Sequence, residues 1–237
     1  MNPIISSIDT ILVPQGAEYK AVCRGIYPFP SHLQIRQIPA GIKPLSRYLQ
    51  DWGQSQNFLD KRPRGIMVMG LGGSLSPKYG VGDGVLYGEC GYFKEEKVRE
   101  WQHFDQELIE LVLHQLGDKI SWVRGISSDR LIGLGTQKYL LGKEYQVDVV
   151  DMEGIGVLEF CKHSNIPVVM VRVISDNCEQ NLPDLTPAFN ENGTLNNFIL
   201  ARQMLKNPLS SLDLIRSSLQ GLKRLEQVAR DLFMTVD

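Results

Sequence analysis

The sequence predicts an α/β fold: a single domain over residues 1–237, with a central, mostly buried sheet flanked by helices. Three observations predict it. Short apolar runs of strand length alternate with segments of helical periodicity. The length of 237 residues suits one large α/β domain. Hydrophobic residues make up 43% of the chain and charged residues 22%, enough apolar matter for a full core.

The elements follow in chain order. Residues 10–13 form a short apolar strand ending at Pro14, and residues 32–38 alternate polar and apolar as a second strand. Residues 44–52 read as a helix with a proline near its first turn. Residues 65–69, Gly-Ile-Met-Val-Met, read as a buried strand running into a glycine-rich turn. Residues 85–93 form a further strand, broken by Gly88 and Gly91. Residues 104–116 carry a helical apolar pattern, and residues 121–126 are strand-like. Residues 147–152 lead as a strand into a helix over residues 153–163. Asn165-Ile166-Pro167 then turns the chain into residues 168–174, the strongest strand candidate. Near the end, Asn207-Pro208 is an N-cap plus first-turn pair. Leu209, Leu212, Ile215, Leu219, Leu222, Leu225, Val228 and Leu232 follow it at steps of three and four. This stripe is expected to pack on the sheet rather than to bind a partner.

Several function classes are set aside by composition. The net charge is −2 and no lysine or arginine run stands out, so nothing marks a nucleic-acid partner. No apolar stretch reaches membrane-spanning length, and the N-terminal residues lack a signal-peptide pattern, so a cytoplasmic location is expected. The four cysteines and four histidines are dispersed, so neither a disulfide framework nor a metal site is expected.

Three segments place polar or glycine residues at the carboxyl ends of strands, where ligands bind in open α/β sheets. The first is Gly70-Leu71-Gly72-Gly73-Ser74. It lacks the lysine of a phosphate-binding P-loop, and Leu75 stands where a dinucleotide fingerprint needs its third glycine. The second is Asp148 to Gly154, at a strand-to-helix junction. An acid such as Glu153 can cap a helix there, or accept hydrogen bonds from a sugar diol with its two oxygens. The third is Arg172-Val173-Ile174-Ser175-Asp176. An apolar strand delivers Asp176 to the sheet edge, where desolvation would favour its protonated form and make it a proton donor. A turn-forming Asp-Asn pair is the structural alternative.

Gly70-Leu71-Gly72-Gly73, Val150-Asp151-Met152-Glu153 and the segment from Val171 to Asp176 together resemble the nucleoside phosphorylase superfamily. Within it they are most similar to 5′-methylthioadenosine/S-adenosylhomocysteine nucleosidases. Gly80-Val81-Gly82-Asp83 and Pro14-Gln15-Gly16-Ala17-Glu18 add to the likeness. The resemblance implies a mixed sheet and cleavage by water of the N-glycosidic bond of a purine nucleoside, a 5′-substituted adenosine. Asp176 would protonate N7 of the leaving purine, and Glu18 would orient or deprotonate the attacking water. Met152 and Glu153 would bind the ribose, with Ser175 in the same substrate-binding set. Leu71, Gly72 and Gly73 would line the sugar and base pocket. Leu131 and Ile132 belong to the base-binding loop, Leu131 standing where the resembled nucleosidases carry an aromatic residue. No cofactor and no metal are implied, and a homo-oligomer is.

Alternatives remain at this point. Phosphate could replace water as nucleophile. Asn181-Leu182-Pro183-Asp184-Leu185 and the helix after Asn207 resemble the hopanoid-associated phosphorylase branch, which implies a large apolar 5′ substituent. A non-catalytic nucleoside-binding or storage protein could also keep this fold.

Overall fold

The apolar runs of the sequence assemble into one eight-stranded sheet. The computed structural model describes residues 3–183 and 208–234. The strands are β1 (Thr10–Pro14), β2 (Gln34–Ile38), β3 (Ile66–Ser74), β4 (Gly84–Lys94), β5 (Lys97–His103), β6 (Ile120–Ser128), β7 (Val149–Asp151) and β8 (Val168–Asp176). Their order is β2-β1-β3-β7-β6-β4-β5, and β8 pairs with both β3 and β4. The pairs β1–β2, β1–β3, β3–β8, β4–β6 and β6–β7 are parallel. The pairs β3–β7, β4–β5 and β4–β8 are antiparallel, so the sheet is mixed. Because β8 bridges β3 and β4, the strands β3-β8-β4-β6-β7 return to β3 as a closed ring. On its strands Val68, Val85, Val123, Met170 and Val171 are fully buried, the near-continuous apolar pattern expected of strands covered on both faces.

Helices cover this sheet. They are α1 (Pro3–Ser7), α2 (Ala17–Ile26), α3 (Ile42–Gly53), α4 (Gln56–Asp60), α5 (Gln106–Leu116), α6 (Gly135–Tyr145), α7 (Gly154–Ser164) and α8 (Pro208–Phe233). Helix α5 begins at an Asp105 N-cap whose carboxylate accepts from Leu108 N at 3.0 Å, and it stops at Gly117. Helix α2 packs against α8, and α3 against α7.

Four expectations change. The glycine-rich segment is not a turn: residues 70–74 continue β3 and pair with β8 on one side and β7 on the other. Nor is β4 broken at its glycines; the strand is continuous, with register shifts at Tyr87/Glu89 and Cys90/Tyr92, so the glycines sit at bulges. The stripe of α8 divides. Leu225, Val228 and Leu232 are buried, whereas Leu212, Ile215 and Leu219 are 52%, 42% and 62% exposed. Only the later half of the helix lies against α2, where the backbone of Glu226 crosses over Gly25. Finally, α1, α2, α4, β5 and α6 had no counterpart in the sequence reading. The predicted N-cap Asn207 and the Asp184-Leu185 pair lie outside the described residues.

Candidate active site

The carboxyl ends of β1, β3, β7 and β8 converge on one cavity of about 580 Å³. Past the end of β1, Gly16 takes φ 98° and starts α2, which places Glu18 in its first helical turn. The second half of β3 forms a glycine wall, and β8 delivers Ser175 and Asp176 to its rim. The Asp151–Glu153 corner connects β7 to α7.

That corner settles how Glu153 is used. The amides that open α7 are satisfied by other groups: Asp151 Oδ1 accepts from Glu153 N at 3.2 Å and Gly154 N at 3.1 Å, and Ser127 Oγ accepts from Ile155 N at 2.9 Å. Glu153 makes no cap hydrogen bond. Its Oε1 accepts from Gly41 N at 3.1 Å and its Oε2 from Arg172 Nη2 at 2.8 Å. A carboxylate has about four lone-pair sites, so each oxygen can still accept from a hydroxyl.

Arg172 organises the acids. It is fully buried on β8, with Nη2 on Glu153 and Nε 3.6 Å from Asp151 Oδ2. A buried guanidinium is tolerated because carboxylates surround it, and they hold its pKa above the ordinary arginine value. Glu18 lies on the same cation. Its Oε1 accepts from Leu71 N at 2.6 Å. Burial raises its pKa from 4.5 to about 7; the Arg172 charge opposes the rise and Glu153 adds to it. Burial likewise raises Glu153 above the usual carboxylate range, against the pull of Arg172.

The glycines of β3 allow this crowding. A Cβ at position 70 would collide with the Arg172 guanidinium and stand 2.8 Å from Glu18 Oε1. At position 73 it would stand 2.9 Å from Asp176 Oδ2. These residues serve close approach by acidic groups rather than a reversal of the chain.

Asp176 is buried at the end of β8 and has partners on both oxygens. Its Oδ1 accepts from Ser175 Oγ at 2.6 Å, and its Oδ2 is paired with the ammonium of Lys138, whose side chain is fully buried.

The ten residues given catalytic or substrate-binding parts from the sequence border this cavity: Glu18, Leu71, Gly72, Gly73, Leu131, Ile132, Met152, Glu153, Ser175 and Asp176. Ile132 does so only at its edge, because its side chain packs with Leu75, Phe93 and Ile126 in a small apolar cluster. Sequence reasoning missed Lys138, the role of Arg172 as hub, and Gln37, Ala40 and Arg130 in the cavity wall. Lys138 had a signal of its own. It shares a helical face with Gly135, Leu141 and Gly142, and a lysine between glycines on an inward face is out of place unless it has a partner.

Residues 55–206 match the family described as the phosphorylase superfamily. The chain belongs to the phosphorylase superfamily. It is an enzyme of that class, and its mixed sheet is the fold of that superfamily's solved nucleosidases. A 5′-methylthioadenosine/S-adenosylhomocysteine nucleosidase from Helicobacter pylori, bound to butyl-thio-DADMe-Immucillin-A, is similar with TM-score 0.64 and 15% identity, covering 92% of this chain and 96% of that one. The corresponding nucleosidase from Neisseria meningitidis, in complex with methylthio-immucillin-A, has TM-score 0.64 and 13% identity over 93% and 97% of the two chains. Futalosine hydrolase from Helicobacter pylori has TM-score 0.60 and 16% identity over 89% and 96%. No curated protein matches in sequence. Among the described residues of this superfamily member, no helix is long and apolar enough to cross a membrane.

Proposed function

We propose that this enzyme hydrolyses the N-glycosidic bond of a purine nucleoside, a 5′-substituted adenosine. The reading is carried by one observation: Glu18, Glu153 and Asp176, far apart in the chain, border a single cavity. The nucleosidases named above, which act on 5′-methylthioadenosine and S-adenosylhomocysteine, support the choice of substrate class.

Each acid has a part. Glu153 binds the ribose hydroxyls with the lone pairs that Gly41 and Arg172 leave over. Asp176 gives a proton to N7 of the purine, which turns the base into a better leaving group. The sugar then carries oxocarbenium-like positive charge, and the carboxylates around it stabilise a charge that exists only near the transition state. Glu18, with its pKa raised to about 7, accepts a proton from the attacking water near neutral pH. Leu71, Gly72, Met152 and Leu131 supply the apolar and backbone wall against the sugar and base.

Water is favoured over phosphate by charge. Among the described residues, Glu18, Asp151, Glu153 and Asp176 face the cations Arg172 and Lys138, and the Arg130 guanidinium in the wall is paired with Glu96. That excess of negative charge disfavours a phosphate dianion. The reading includes a homo-oligomer in the cytoplasm, as the resembled nucleosidases imply.

The test is chromatographic release of free base from 5′-methylthioadenosine, S-adenosylhomocysteine, futalosine, adenosine and inosine, with and without phosphate. Base release without phosphate from a 5′-substituted nucleoside is the expected result. In Asp176→Asn, turnover falls by about 10²–10⁴-fold while nucleoside binding stays nearly intact. Cleavage only in phosphate buffer, or none in either buffer, overturns the proposal.

A further inference from the structure

We propose that Lys138 positions the Asp176 carboxyl and is the store from which Asp176 draws the proton it passes to the leaving base. The proposal rests on the role given to Asp176 above and goes beyond it.

The arrangement around Lys138 is built. The residue lies on α6 with its side chain fully buried, and its Nζ donates to Asp176 Oδ2 and to the carbonyls of Asn177 at 3.1 Å and Gln180 at 3.4 Å. Helix α6 is fastened to the segment after β8. Gly135 N donates to Asn181 Oδ1 at 2.9 Å, Leu182 N donates to Gly133 O at 2.8 Å, and a Cβ on Gly135 would collide with the backbone of Glu179. With Ser175 Oγ on Oδ1 and the ammonium on Oδ2, both oxygens of Asp176 are held, so the carboxyl has one orientation. Among the described residues, Lys138 also faces the Cys178 thiol, with Glu179 beyond it; burial and Glu179 push that thiol up, and Lys138 acts the other way.

Burying an ammonium costs several kcal/mol, and an apolar side chain would fill the same space without that cost. What the lysine adds is a transferable proton. As the base takes negative charge at the scissile bond, the Nζ–H bond breaks and an O–H bond forms on Asp176. That O–H bond then breaks as N7–H forms. Lys138 is left as a neutral amine beside a carboxylate; after the base departs, Glu18 gives the proton it took from the attacking water to solvent, and solvent returns one proton to the lysine. The sum is nucleoside plus water giving base plus sugar.

The experiment uses the full chain as wild type, Lys138→Met and Lys138→Arg, with kcat and KM measured from about pH 5.5 to 9.5 and thermal melting as the control for folding. In wild type, kcat falls less with rising pH than in Lys138→Met, because Asp176 draws its proton from the lysine and not from solvent. Lys138→Met keeps KM within about threefold and loses about 10²-fold in kcat at pH 8. Its kcat rises as the solution is acidified towards pH 7, because Asp176 must then take its proton from water; below pH 7 protonation of Glu18 opposes the gain. Lys138→Arg does not restore kcat at pH 8, since a guanidinium does not give up a proton. Equal loss at every pH in Lys138→Met, or full rescue of kcat by arginine, overturns the proposal. Should Lys138→Met fail to fold, Lys138→Arg decides: full kcat overturns the proposal, and lost kcat at unchanged KM bears it out. Failure of the functional reading is distinct: wild type then cleaves no nucleoside at any pH.

Discussion

Two residues lead to measurable expectations. If Glu18 is the base that accepts a proton from water, kcat/KM rises with pH up to about 7 and then levels, because the carboxylate form exists only above its raised pKa. Glu18→Gln removes this limb and lowers the rate by about 10²–10⁴-fold. The same shift bears on stability. Its folded-state pKa, about 7, lies above the ordinary glutamate value of 4.5. Its contribution is therefore fully present below 4.5 and is lost as pH rises through 7. Melting of Glu18→Gln relative to wild type should show a larger gain at pH 8 than at pH 5. The second residue is Gly73. Gly73→Ala places a methyl group 2.9 Å from Asp176 Oδ2 and 3.4 Å from Val150 Cγ1, so activity should fall steeply while unfolding in urea shifts by no more than about 1–3 kcal/mol. At this scale the acids were legible, because a carboxylate at the end of an apolar strand is conspicuous. The cations that hold them were not. Lys138 lies 38 positions from Asp176, and Arg172 reads in the sequence as one polar residue inside a strand.

Elements with strong periodicity were found, and those that rely on tertiary contact were not. The segment from Val168 to Asp176 is buried on both faces, and its run of apolar β-branched residues announces it. By contrast β5 has the burial pattern of an exposed edge, and the turn before it uses Glu95 and Glu96 at positive φ rather than an Asn-Gly pair. Helix α6 lacks an apolar stripe, because its inward face is made of glycines, Lys138 and Leu141. Helix α8 shows the limit of periodicity as evidence: its stripe runs on, but the surface beneath it ends. Leu225→Ala should cost about 2–5 kcal/mol in urea unfolding, whereas Leu219→Ser should stay within about 0.5 kcal/mol, since Leu225 is fully buried and Leu219 is 62% exposed.

For the molecule as a whole, alternation of strand and helix was enough to give the fold class, and the topology needed the coordinates. Which strands neighbour β8 depends on contacts between residues such as Val171 and Leu86, whose spacing in sequence carries no mark of their pairing. The ring that results has a consequence for how the protein behaves in crowded solution. Every strand in it is paired on both sides, so among the described residues the only open borders of the sheet belong to β2 and β5. Both are short, at five and seven residues, and they carry Arg36 on one side and Lys97, Arg99 and Glu100 on the other. Short, charged borders are poor templates for a foreign strand, so a chain rich in buried β structure is protected against fibrillar self-association.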